Sequence, residues 1–216
     1  MPTRSKLLLT ALVAALVMAT AIGTAAAGRW SVSEQRFRIT WSSLEISGFA
    51  TNVRCAVTVE GSYHYRTFLK TTGALLGTIT GVSARHPCTG GEMWFFNGTE
   101  NLEGTTLANS LPWLVAYESF TGTLPRRVGF LRKLWRAFKR LIKATFLGIT
   151  IRCTYTTSVT EPAHAATRIE EATGAMTEVQ LEGTIRSETG GCPSATLAGS
   201  GPITTPAGAR ITLTLI

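Results

Sequence analysis

Cysteine, histidine and glutamate are the side chains here that can cross-link, ligate or exchange protons, and their spacing limits which of these they do. The four cysteines, Cys55, Cys88, Cys153 and Cys192, are even in number and widely separated. Zinc sites ordinarily present close ligand pairs such as C-x-x-C, and the chain has none. Aspartate is absent altogether, which removes the usual Ser-His-Asp triad and the aspartate-rich loops that bind calcium. The three histidines stand apart. His64 lies between Tyr63 and Tyr65 in an expected strand, His86 precedes Pro87 and Cys88 in an expected turn, and His164 follows Glu161-Pro162-Ala163 in an expected loop. No two of them have metal-ligand spacing. Among the glutamates, Glu170 and Glu171 are adjacent, and Glu100 and Glu103 flank Asn101-Leu102. A glycosidase pair can come from any two strands, so this spacing neither supports nor excludes one. The nucleophile-elbow, Walker and dinucleotide fingerprints are missing. Asn97-Gly98-Thr99 fits a glycosylation sequon and a hairpin turn equally well. These residues give no cofactor or metal site and favour a non-enzymatic protein, with a secreted hydrolase using glutamate acid and base groups as the alternative.

Charge is the most localised property of the chain. Of 21 Lys and Arg residues, eight fall in one stretch without a single acid: Arg126, Arg127, Arg132, Lys133, Arg136, Lys139, Arg140 and Lys143. The rest of the chain is balanced, 13 cations against 13 acids. Between these cations, Val128, Leu131, Leu134, Trp135, Phe138, Leu141 and Ile142 recur at three- and four-residue steps, which predicts an amphipathic helix over about 126–145. Thr123 with Pro125 offers its start and Gly148 its stop. Such a helix can pack its apolar face on a sheet and leave its cations in water. It can equally lie in the headgroup region of an anionic membrane, or attract another polyanion.

The elements that position these residues begin with an N-terminal leader. Arg4 and Lys6, the apolar run from Leu7 to Ile22 and the small stretch Gly23-Thr24-Ala25-Ala26-Ala27 follow the order of an export signal. Ala25 and Ala27 predict cleavage before Gly28. The rival reading is an uncleaved anchor, since the charge-free stretch from Leu7 to Gly28 is just long enough to cross a hydrocarbon core of about 30 Å. Export makes two disulfides the better use of the cysteines and makes an anionic lipid or a wall polymer the fitting partner of the basic stretch, rather than nucleic acid.

Beyond the leader, strands dominate. Phe37, Ile39 and Trp41 alternate with polar residues, as do Val53, Cys55, Val57 and Val59, and Ile211, Leu213 and Leu215. Turn residues at Pro87-Cys88-Thr89-Gly90-Gly91, Asn97-Gly98 and Gly201-Pro202 separate such runs. Strands at this spacing predict one all-β domain over 28–216, an antiparallel sandwich or barrel. The two halves also match weakly: Val53-Arg54-Cys55 with Ile151-Arg152-Cys153, Thr72-Gly73-Ala74-Leu75 with Thr173-Gly174-Ala175-Met176, and Gly77-Thr78-Ile79 with Gly183-Thr184-Ile185. A Gly-Gly pair accompanies Cys88 and Cys192 alike. This internal duplication places half-repeats at about 37–122 and 147–216, joined by the basic segment 123–146. Of the three connectivities four cysteines allow, it selects Cys55 with Cys88 and Cys153 with Cys192.

Val53-Arg54-Cys55, Thr72-Gly73-Ala74-Leu75, Phe120-Thr121-Gly122-Thr123-Leu124-Pro125, Gly148-Ile149-Thr150 and Arg210-Ile211-Thr212-Leu213 resemble an uncharacterised family of secreted proteins from actinobacteria, across most of the chain after the leader. The family brings no known activity, substrate or cofactor. The resemblance implies strands, without a marked basic character, between Leu124-Pro125 and Gly148-Ile149-Thr150, and there it disagrees with the helix expected from periodicity.

Overall fold

A computed structural model describes residues 28–48, 52–121, 129–136, 139–146, 149–157, 162–170 and 172–216. The leader, Arg126 and Arg127 lie outside the described residues. Sixteen strands and no helix are present among them. They are β1 (Arg29–Val32), β2 (Arg36–Ser47), β3 (Val53–Tyr63), β4 (Thr67–Leu69), β5 (Leu75–Thr89), β6 (Glu92–Phe95), β7 (Asn101–Leu102), β8 (Thr105–Thr106), β9 (Trp113–Thr121), β10 (Gly129–Arg136), β11 (Lys139–Phe146), β12 (Ile149–Thr156), β13 (Ala163–Ile169), β14 (Ala175–Ser187), β15 (Ala195–Thr204) and β16 (Ile211–Leu215).

Each half of the chain lays down a four-strand antiparallel meander. The first is β2, β3, β5, β9, and the second is β10, β13, β14, β15. The last strand of each meander pairs with the first strand of the other, β9 with β10 and β15 with β2, so the ladders form a closed circuit. Of the matched cysteines, Cys55 lies in β3 of the first meander and Cys153 in β12, outside the second. Gly73 and Gly174 open the turns into β5 and β14 with φ of 83° and 66°, a conformation that glycine adopts without steric cost.

An eight-strand circuit leaves an interior that side chains can fill. Alternation supplies them: β3 reads buried at every second residue from Val53 to Tyr63. Trp41, Trp113, Tyr63 and Phe37 are the large members of the core, and the Trp41 indole donates to the Val179 carbonyl at 3.0 Å. Where β2 and β15 bulge out of register, Gly201 brings β15 against β2. A Cβ at that position would lie 2.1 Å from the Thr40 carbonyl oxygen. The expected turn at Gly201-Pro202 is therefore a strand interior, with Pro202 set opposite Glu178 in the β14 ladder.

Two appendages complete the fold. At one end β1 pairs with β4 and β16, covering the core with Trp30, which packs 4.5 Å from Phe120. At the other end β14 diverges to pair with β12 through Arg186 and Ser187, and β12, β11 and β6 extend the sheet as a flap. Met93, Phe95, Cys153 and Tyr155 are buried there. Both expected disulfides form, Cys55–Cys88 and Cys153–Cys192, and they brace this second end.

The expected helix is replaced by β10 and β11. Gly129 to Trp135 pair with β13 and Phe130 to Arg136 pair with β9, so a helix here would open the circuit and strip both neighbours of their backbone partners. The three- and four-residue apolar steps run across two strands and the break between them. They are not the period of one element.

Candidate functional site

The strand form redistributes the cations that the sequence groups together. Arg132 pairs with Ser119 of β9 and Ala166 of β13, Lys133 with Tyr117 and Ala165, and Arg136 with Leu114 of β9. Lys139 pairs with Thr156 of β12, and Arg140 with Tyr155 of β12 and Phe95 of β6. β10 belongs to the circuit and β11 to the flap, so the cations on described strands are divided between two parts of the sheet.

Lys143 is engaged within the molecule. Its ammonium donates to Glu103 Oε1 at 2.9 Å and lies 3.7 Å from Glu92 Oε2. Arg152 donates to the second Glu103 oxygen. Glu103 sits at the tip of the β7–β8 hairpin with φ of 50°, and hydrogen bonds from Lys143 and Arg152 hold its carboxyl below the usual range. The network ties the hairpin to the flap. The cations expected to bind an anionic surface thus comprise Arg132, Lys133, Arg136, Lys139 and Arg140 on described strands, Lys143 in an ion-pair network, and Arg126 and Arg127 outside the described residues.

Each histidine has a different setting. His64 is exposed just past the end of β3. His86 lies in β5 rather than a turn, its ring 5.0 Å from Trp94 and its Nδ1 3.7 Å from Cys88 Sγ. His164 lies in β13 rather than a loop, with Nδ1 3.0 Å from Glu118 Oε2. Glu182 stands opposite His164 in the β13–β14 ladder. Where β14 parts from β13, a groove of about 620 Å³ opens between His164, Pro162, Glu182, Thr184 and Thr196.

Glu100 and Glu103, neighbours in sequence, have opposite environments. Glu100 is half-buried, and its carboxylate accepts the backbone amides of Ala84 at 2.6 Å and Phe95 at 2.5 Å. Burial pushes its carboxyl up, and these two bonds oppose the shift. Asn97 is buried, donates to the Val82 carbonyl and accepts the amides of Thr99 and Glu100. The Asn97 amide therefore builds the loop. Among the described residues no group of three or more His, Cys, Asp or Glu side chains is placed to hold a metal ion.

No family model matches the chain, and neither a curated protein nor a solved structure matches it.

Two features escape the sequence. The Glu103, Lys143 and Arg152 network joins residues that are 40 and 49 positions apart, which no local pattern signals. Tyr65, Leu69 and Leu75 are exposed together at one end of the molecule, yet in sequence they read as ordinary strand residues.

Proposed function

We propose that the protein is an exported, non-enzymatic component of the cell envelope that engages an anionic surface, lipid or wall polymer, through cations of β10 and β11. The observation that carries the reading is charge segregation: eight cations and no acid between residues 126 and 143 in a chain otherwise balanced. The engagement of all four cysteines in disulfides favours an oxidising, extracytoplasmic compartment. Co-sedimentation with anionic and neutral vesicles, and with wall polymer, at low and high salt tests the reading. Binding to an anionic surface that weakens with salt and falls about tenfold or more on Arg132→Glu, Arg136→Glu and Lys139→Glu together supports it. Binding unchanged by the three reversals would mean that these cations form only a solvated surface.

The alternative, a secreted hydrolase using glutamates, finds its best footing at Glu118, His164 and Glu182 beside the groove. Release of wall fragments that disappears on Glu118→Gln or Glu182→Gln, with surface binding intact, would favour it.

A further inference from the structure

Among the described side chains, five of the eight large apolar ones that are exposed gather at one end, the others being Leu114, Ile149 and Ile151. Tyr65 (72% exposed), Leu69 (47%), Leu75 (47%), Leu215 (47%) and Ile216 (63%) sit around β1, β4 and β16, and Tyr65, Leu69 and Leu75 line one groove of about 310 Å³ beside Arg29. Arg29 and Ile216 exchange two backbone hydrogen bonds of 2.9 Å, which sets the C-terminal residues alongside the groove. Arg29, Arg66 and Lys70 are exposed around it. The Lys70 ammonium lies over the Trp30 ring, 4.5 Å from its centroid. Glu34, the acid that interacts with Arg66 and Arg36, turns back to accept the Gln35 amide at 2.8 Å. Leucine and tyrosine ringed by Arg and Lys is the composition of a surface that lies at the headgroup boundary of a bilayer.

The chain supplies the second argument. The apolar run from Leu7 to Ile22 joins the fold at Gly28, on this same end, and only Gly23 to Ala27 separate the two. Until the expected cut before Gly28, a segment able to enter a bilayer is therefore only a few residues in sequence from this face. The disulfides and the flap lie at the far end.

We infer that the end formed by β1, β4, β16 and the turn into β5 is a face that seats on an anionic lipid bilayer, with Tyr65, Leu69 and Leu75 entering the headgroup boundary and Arg29, Arg66 and Lys70 meeting the phosphates. The inference takes its compartment from the proposed function, but it assigns the lipid to this face rather than to β10 and β11.

The core from Trp30 to Leu213 and both disulfides lie within residues 28–216, so the oxidised chain starting at Gly28 retains the fold and removes the leader's own affinity for lipid. The experiment is co-sedimentation of that chain with phosphatidylcholine vesicles with and without phosphatidylglycerol. Binding to the anionic vesicles is expected to fall at least about tenfold in Leu69→Glu/Leu75→Glu and to weaken in Tyr65→Ser, with an unchanged thermal midpoint in both. Reversal of Arg132, Arg136 and Lys139 should leave most of this vesicle binding in place and lower binding to wall polymer alone, the outcome that keeps both readings. If that triple reversal abolishes vesicle binding and Leu69→Glu/Leu75→Glu does not, the inference is overturned and the proposed function stands. If the chain binds wall polymer and neither vesicle, the same conclusion follows. Self-association abolished by Leu69→Glu/Leu75→Glu, in a chain that ignores vesicles, overturns the inference in favour of a second copy as the occupant.

Discussion

Glu100 is the glutamate whose role the structure defines most closely. Both of its oxygens accept backbone amides from strands it does not belong to, so it fastens β5 to β6 across the loop that Asn97 shapes. Removing the carboxylate in Glu100→Ala leaves two amides without their acceptor and is expected to cost about 2 kcal/mol or more in denaturant unfolding. The sign of the pH effect follows from burial. A carboxyl raised in the folded state binds its proton more readily there than in the unfolded chain, so its contribution is fullest below the unfolded value of 4.5 and declines as pH rises through the folded value. Glu100→Gln should flatten that part of the stability-against-pH curve. A curve of unchanged slope would assign the pH dependence to other groups. Nothing in the spacing of Glu100 and Glu103 separates the clamp from the exposed ion-pair partner, because burial is decided by which strands fold over each residue.

At the scale of elements, the segment around Arg132 is where local pattern and fold conflict. Its apolar residues recur at helical steps, yet β10 lies between β9 and β13, and both ladders need its backbone groups. With a neighbour on either side, the backbone amides of β10 face one ladder or the other. Leu134→Pro, which removes one of these amides, is expected to cost about 2 kcal/mol or more in denaturant unfolding. An unchanged midpoint would contradict this pairing. The other strands are more legible, because the buried-at-every-second-residue pattern of β3 and β13 coincides with apolar alternation in the sequence. His86 and His164 fall in strands for the converse reason: the adjoining prolines suggest turns, but β5 and β13 run through or begin beside them.

On the scale of the whole molecule, the two ends differ in how they are secured. One end is held by the pairing of β1 with β4 and β16 and by the Trp30 side chain, and the far end by two disulfides that span 33 and 39 residues. Chain entropy assigns each bridge about 3 to 4 kcal/mol. Cys153→Ser/Cys192→Ser is accordingly expected to lower stability by that order, read by denaturant unfolding, and to speed hydrogen exchange first in β11 and β12. Protection lost first in β1 and β16 would count against the division. The cysteine pairing, the strand-rich composition and the likeness between the halves are properties of residue types and their order, and the sequence alone determined them, since alternation and repeat spacing are local. The closing of two meanders into one circuit, the division of the basic stretch between β10 and β11, the burial of Glu100 and the gathering of Tyr65, Leu69, Leu75 and Ile216 at one end were decided only by the tertiary structure. Each depends on pairing between residues far apart in the chain, and that pairing is set by the backbone groups and core surface the whole fold must satisfy together.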